Sequence, residues 1–151
     1  MALIHEKLYR SRNLSKIDFA EYIRTLADNL FRSYRIDWNT VTLRLEIDNL
    51  SLGIDVAIPF GLIINELISN SLKHAFPEGR SGEIYIRFYP VGDNGLELII
   101  GDNGIGLPED FDFQKTESLG FQLVNILTEQ LQGTMEVGKE KGTEFRIKFA
   151  G

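Results

Sequence analysis

Four short segments hold the residues best suited to chemistry: Asp102-Asn-Gly-Ile-Gly106, Asn65-Glu-Leu-Ile-Ser-Asn70, Ser118-Leu-Gly120 and Lys141-Gly-Thr143. The first sets a carboxylate and two glycines at a strand end, ahead of a loop and an apolar helix. Leu96, Leu98 and Ile100 alternate, so a strand that runs on for two more residues places Asp102 on the same inward face. A buried carboxylate needs a donor, because an unpaired one is expensive. An adenine exocyclic amine would be such a donor, and Gly104 and Gly106 would let the backbone approach a base with no Cβ in the way. The competing reading is a rim aspartate that caps its own turn through Asn103 and Gly104, since Asp-Asn-Gly is also an ordinary turn sequence.

The second segment supplies a charged stripe. Glu66, Asn70, Lys73 and His74 stand at i, i+4, i+7 and i+8, so they project from one helical face, with Ile64, Ile68, Leu72 and Ala75 on the opposite side. Carboxylate and amide oxygens on one stripe suit a hard cation such as Mg²⁺, which takes oxygen ligands and borrows the rest from water and phosphates. Lys73 could then meet a phosphate as a point charge. A solvated helix face presents the same charges; against that, Leu62, Ile63 and Leu67 flank the stripe and make it narrow. Ser118-Leu-Gly120 opens another helix, whose free N–H groups and positive dipole end favour anions, although a serine N-cap alone reads the same way. Thr143 shares the parity of Phe145, Ile147 and Phe149, which turns its hydroxyl inward beside Asp102 if the two strands are neighbours; a β-branched residue after a turn glycine is the plainer alternative. His5 and His74 lack metal-ligand spacing and the chain has no cysteine, so zinc is not expected. Neither a G-x-x-x-x-G-K-[ST] loop nor a full dinucleotide fingerprint occurs.

Periodicity gives the elements that must position these residues. Residues 2–10 carry a short helical pattern in Leu3, Ile4 and Leu8, and Asp18 starts a longer helix through about Tyr34 with Phe19, Ile23, Leu26, Leu30 and Phe31 as its apolar stripe. Val41, Leu43, Leu45 and Ile47 alternate as a strand, with a short strand expected near Leu52 to Ile54. Pro59 is placed as the opening of a helix that runs to about Phe76, where Pro77-Glu-Gly79 stops it. Two hairpins follow, one turning at Gly92 to Gly95 and one joining Thr134–Gly138 to Thr143–Phe149, with a loop and a helix from Leu119 to about Gln132 between them. This order predicts an α+β two-layer sandwich: helices on one face of a mixed, mostly antiparallel sheet.

At 151 residues, 43% hydrophobic and 25% charged, the chain has the balance of one globular domain with a sizeable core. Its 22 acidic residues outnumber 16 scattered basic ones, which argues against a nucleic-acid footprint. No cysteine fits an intracellular, cytoplasmic address, and no apolar run reaches the roughly 20 residues of a membrane span, so no membrane contact is expected.

Taken in order, these segments resemble the ATP-binding domain of sensor histidine kinases, in the superfamily of gyrase, Hsp90, MutL and histidine kinases. Asn65-Glu-Leu-Ile-Ser-Asn-Ser-Leu-Lys-His-Ala75 looks like the N box, Asp102-Asn-Gly-Ile-Gly106 the G1 box, Ser118-Leu-Gly-Phe-Gln-Leu-Val124 the G2 box and Gly142-Thr-Glu-Phe145 the G3 box. Leu3-Ile-His-Glu-Lys-Leu-Tyr-Arg-Ser11 is similar to the end of the dimerisation region in a branch with a His-Glu-x-Leu-Tyr segment, related to the HWE kinases. Residues 1–14 would then be a remnant of that region and 15–151 the catalytic domain. The resemblance implies a Bergerat-type α/β sandwich binding ATP and Mg²⁺, with Asn70 on the metal, Lys73 and His74 near the phosphates and Asp102 receiving the adenine amine. Gly104 and Gly106 would shape the base pocket, Gly120 would sit at the phosphates, and Thr143 would reach the adenine end. Glu66 stands where superfamily ATPases have a catalytic glutamate, as a base or as a metal-side polar group. The implied partners are a histidine-bearing dimerisation domain and a response regulator, in an intact homodimer.

Two features depart from the pattern. The lid between Gly106 and Gly120, Leu107 to Leu119, is 13 residues long, with Phe111 and Phe113 as its packing residues. His5 aligns after the phosphoacceptor, so this chain is expected to lack its own acceptor histidine. An anti-sigma-type serine kinase, or a nucleotide-binding module without turnover in isolation, are the alternative functions.

Overall fold

Strand alternation and helical stripes sort the apolar side chains into two facing layers. In the computed structural model, residues 17–34, 40–48, 51–76, 80–92, 95–106, 119–138 and 142–150 are described. The elements are β1 (Ile17–Asp18), α1 (Phe19–Ser33), β2 (Val41–Ile47), β3 (Ser51–Leu52), α2 (Ile54–His74), β4 (Gly82–Val91), β5 (Gly95–Asp102), α3 (Leu119–Gln130), β6 (Gly133–Gly138) and β7 (Thr143–Ala150). The main sheet has the order β2-β4-β5-β7-β6, parallel only between β2 and β4 and antiparallel elsewhere. This is the expected α+β sandwich, with Phe19, Ile23, Leu26 and Phe31 of α1, much of α2, and Phe121, Val124 and Leu127 of α3 joining one core with the inner strand residues.

Three boundaries differ from the sequence reading. Helix α2 begins at Ile54, five residues before Pro59, which lies inside it. Extended Gly53 is the N-cap, and its carbonyl accepts from the Val56 and Ala57 N–H groups at 3.0 and 2.8 Å, so the first turn closes before the proline. Pro59 then forfeits one i→i−4 bond, to the carbonyl of Asp55; that residue is exposed, where water can serve it. The short strand expected near Leu52 to Ile54 is Ser51–Leu52, pairing antiparallel with a two-residue strand at Ile17–Asp18 too short for periodicity to reveal. Helix α3 ends at Gln130, and Gln132 takes a left-handed φ of 57° on the way into β6. Asp18 caps α1, its carboxylate accepting from the Glu21 N–H at 3.3 Å. The helical pattern at residues 2–10, the hairpin turn residue Lys141 and the lid residues Phe111 and Phe113 lie outside the described residues.

The two ends of the sandwich differ in chemistry. At one, Phe60 meets Phe149 at 4.3 Å between ring centroids and Phe88 at 5.2 Å, while Phe19 meets Phe88 at 4.8 Å, so α1, α2, β4 and β7 are joined through aromatic rings. The register pairs Phe88 and Phe149 with Leu98 and Leu96 near the start of β5. At the other end of β5 stands Asp102, so the aromatic end anchors the layers and the polar end is left for a site. The sheet face away from the helices is covered by its own side chains: Arg87 and Arg146 flank Ile99 in register and leave it 2% exposed. On that face Glu46 pairs with Arg44 and Arg87 at 2.6 and 2.9 Å, and Arg146 with Glu97 at 3.6 Å.

Candidate functional site

Asp102 ends β5 directly opposite Thr143 in the β5–β7 register, and the two are 3% and 7% exposed. The parity argument therefore holds for both residues. The Asp102 carboxylate is supplied by the protein itself: the Ser71 hydroxyl donates to Oδ2 at 2.7 Å and the Gly104 N–H to Oδ1 at 2.9 Å. The turn-capping reading is thus half right, since Gly104 caps it but Asp102 is not at a rim. Asn103 faces elsewhere, its Oδ1 accepting from the Glu83 N–H at 2.7 Å to tie β4 to the end of β5. A carboxylate has about four lone-pair directions. Two are taken, and each oxygen keeps one for a further donor.

Glycines let this corner close. A Cβ on Gly104 would lie 2.3 Å from the Ala75 carbonyl oxygen, so its bareness lets the loop press on the end of α2, where the Ile105 N–H bonds the same carbonyl at 3.0 Å. The side of Gly104 on which a Cβ would stand is therefore taken by the helix terminus. Gly142, with φ of +95°, would place a Cβ 2.2 Å from the Asp102 carbonyl oxygen. Glycine is thus required before Thr143 for two reasons, handedness and contact. Gly106 also has a left-handed φ, +79°.

A second group of residues surrounds a cleft of about 170 Å³ between α2 and the start of α3, lined by Glu66, Ser69, Asn70, Lys73, His74, Gly120 and Phe121. The whole stripe read from sequence faces this cleft together with Gly120, while Ile63, Ile64, Leu67, Ile68 and Leu72 are buried in the core. Lys73 and His74 are exposed, and Glu66 and Asn70 half-buried. The oxygen donors Glu66 and Asn70, one helical turn apart, fit a hard cation that draws its remaining ligands from phosphates and water. Among the described residues no cluster of three or more His, Cys, Asp or Glu could by itself cage a metal ion. Asp102, Gly104, Gly106 and Thr143 form a separate corner, joined to the cleft through α2: Ser71 turns back to Asp102 while its neighbour Asn70 faces the cleft. Ser118 lies outside the described residues.

The sequence reading gave no role to Ser71, Ser69 or Tyr34. Ser71 is 6% exposed and continues the buried series Ile64, Ile68, Ser71, Ala75. A hydroxyl in an apolar stripe must find a partner, and that was the available signal. Ser69, 9% exposed, shares a 2.6 Å hydrogen bond with the Tyr34 hydroxyl from the end of α1.

Comparison with known proteins gives the family and the fold. Residues 55–150 match the family described as histidine kinase-, DNA gyrase B-, and HSP90-like ATPase, and residues 1–34 match one described as histidine kinase. The sensor histidine kinase PdtaS of Mycobacterium tuberculosis is 35% identical over 101 residues, 64% of this chain and 20% of that protein, so the chain spans a small part of that relative. The serine-protein kinase RsbW of Bacillus subtilis is 38% identical over 60 residues, 39% of this chain and 34% of that protein. The histidine kinase domain of the Erythrobacter litoralis EL346 blue-light activated histidine kinase superimposes with a TM-score of 0.84 at 22% identity, over 98% of this chain and 70% of that one, which shows the shared fold. Among the described residues no helix is long and apolar enough to cross a membrane. With the ATPase family covering well over half of its length and a histidine-kinase segment ahead of it, this chain belongs to the histidine kinase-, DNA gyrase B- and HSP90-like ATPases, as an ATP-binding catalytic domain of histidine-kinase type.

Proposed function

We propose that this domain binds Mg·ATP and delivers its γ-phosphoryl group to a histidine on a dimerisation domain, from which it passes to a response-regulator aspartate. The observation that carries the reading is the paired Asp102 and Thr143 at one end of the sheet, linked through Ser71 to a cleft of oxygen donors and cations on α2. Asp102 accepts the adenine amine with its remaining lone pairs, and Thr143 stands beside it at the adenine end. Gly104 and Gly106 set the course of the backbone there. Asn70 gives its carbonyl oxygen to Mg²⁺, and Lys73 and His74 face the phosphates, with Gly120 at the N-terminal turn of α3, where backbone N–H groups favour anions. Glu66 either orients the attacking imidazole or completes the metal's polar surroundings. In the transfer, an imidazole nitrogen bonds to the γ-phosphorus as the bond to the β,γ-bridging oxygen breaks, and ADP leaves with the electron pair. The protein's part is positioning and charge neutralisation. Dependence on ATP supports a cytoplasmic address, and the likeness of residues 3–11 to the end of a dimerisation region supports a homodimeric parent protein.

RsbW's likeness favours a second reading, transfer to a serine of a partner protein. γ-Labelled ATP separates the two. The expected result is no label on this chain alone and acid-labile, base-stable label on an added histidine-bearing dimerisation domain. Label at His5 would overturn the expectation that the acceptor lies elsewhere, and acid-stable serine label on a partner would favour the second reading.

A further inference from the structure

Lys73 is exposed, and among the described residues no carboxylate pairs with it. Its contact is instead with a ring: Nζ lies 5.9 Å from the centroid of Tyr34. Tyr34 caps the C-terminus of α1, its N–H donating to the Leu30 carbonyl at 3.0 Å, so the ring is carried by the end of a helix buried through Phe31 and Ala27. Its hydroxyl and the Ser69 Oγ are 2.6 Å apart and share one hydrogen bond. Ser69 and Lys73 are one helical turn apart and both line the cleft. One side chain from another element thus holds two cleft residues, the serine by its hydroxyl and the lysine by its face.

We propose that Tyr34 is a positioning residue for the polyphosphate end of the nucleotide cleft, holding the Lys73 ammonium in place for an anion. The proposal rests on the nucleotide reading of that cleft. A lysine on a flexible stem meets a phosphate only after its rotamers are restricted, and a cation over an aromatic face pays part of that cost in advance. The arrangement neutralises nothing: the ring attracts the ammonium without consuming its charge, which a carboxylate would do. Tyr34 therefore bears on how the chain distinguishes nucleotides by phosphate content and leaves recognition of the base alone.

Calorimetric titration of the 151-residue chain with Mg·ATP and with adenosine tests this. Tyr34→Leu is expected to weaken Mg·ATP roughly three- to five-fold, the scale of an exposed cation–π contact, with adenosine unchanged. Tyr34→Phe, which keeps the ring and loses the Ser69 bond, should retain most of the preference for ATP. In a Lys73→Met background Tyr34→Leu should have no further effect. Equal losses for ATP and adenosine, or an undiminished effect without Lys73, would overturn the proposal in favour of simple packing. A nucleotide-free readout keeps it distinct from the reading of the cleft: the Lys73 side-chain methylene protons should be ring-current shifted in the parent and in Tyr34→Phe, and move to ordinary values in Tyr34→Leu. Unshifted protons in the parent defeat the Tyr34 proposal, whereas shifted protons in a parent that fails to bind Mg·ATP defeat the nucleotide reading instead.

Discussion

Asp102 is held by two donors of the protein itself, the Ser71 hydroxyl and the Gly104 N–H, and faces Thr143 across the sheet. Strand parity alone turns it inward and pairs it with Thr143, because a two-residue period carries over from Leu98 and Ile100. Nothing in that period reveals Ser71, which comes from a helix 31 residues earlier and supplies a 2.7 Å donor. Two variants separate the roles. Asp102→Asn puts an amide where an acceptor of the adenine amine stands, and adenine nucleotide binding is expected to fall at least ten-fold, about 1.4 kcal/mol, in a calorimetric titration. Ser71→Ala removes one donor but leaves the carboxylate with the Gly104 N–H. Its expected signature is a stability loss of about 1–2 kcal/mol in urea unfolding, with a smaller effect on nucleotide affinity. Asn70→Ala, by contrast, should mainly alter the Mg²⁺ dependence of binding. If Asp102→Asn and Asn70→Ala both bind Mg·ATP like the parent, the site assignment is wrong.

At the scale of elements, the contact between α1 and α2 depends on one glycine. A Cβ on Gly61 would lie 2.1 Å from the Tyr22 hydroxyl and 2.6 Å from its ring carbon Cζ, so α2 approaches α1 only because that position is bare. Alanine is a better helix former by roughly 1 kcal/mol, yet Gly61→Ala should destabilise the chain, since Tyr22 is 4% exposed and has little room to give way. Thermal unfolding should show the loss, and a Tyr22→Leu background should reduce it. The Tyr22 hydroxyl is buried and finds no hydrogen-bond partner among the described residues, and burial pushes its pKa up from 10.0 to about 12. Between those values the unfolded chain gives up the proton while the folded one keeps it. The contribution to stability is thus fully present below pH 10 and is lost as pH rises towards 12. Tyr22→Phe should remove this loss when urea unfolding of parent and variant is compared across that range. Helix stripes made α1 legible, but the close approach at Gly61 was not, because the glycine's partner is set by packing between helices distant in sequence.

At the scale of the whole molecule, the question is where the catalytic unit starts. The match to the histidine-kinase family ends at residue 34, and the ATPase match begins at 55, which would assign α1 to the preceding segment. Packing assigns it otherwise. Phe19, Tyr22, Ile23, Leu26, Ala27 and Phe31 are all buried in the core shared with α2 and the sheet, and Phe19 meets both Phe60 and Phe88. Five of these are large side chains, each worth about 1.5–3 kcal/mol when fully buried. Removing them would cost on the order of 10 kcal/mol, comparable to the entire stability of a domain, about 5–15 kcal/mol. A chain beginning at residue 35 is therefore expected to lose cooperative unfolding and nucleotide binding together. A chain beginning at residue 15 keeps Ile17–Asp18 for pairing with Ser51–Leu52, and keeps Asp18 to cap α1. It should unfold cooperatively within about 1 kcal/mol of the parent in urea and bind Mg·ATP with unchanged affinity. Cooperative folding of the shorter chain would show that α1 is an appendage, and would also remove the basis for Tyr34 acting on the cleft from a fixed helix.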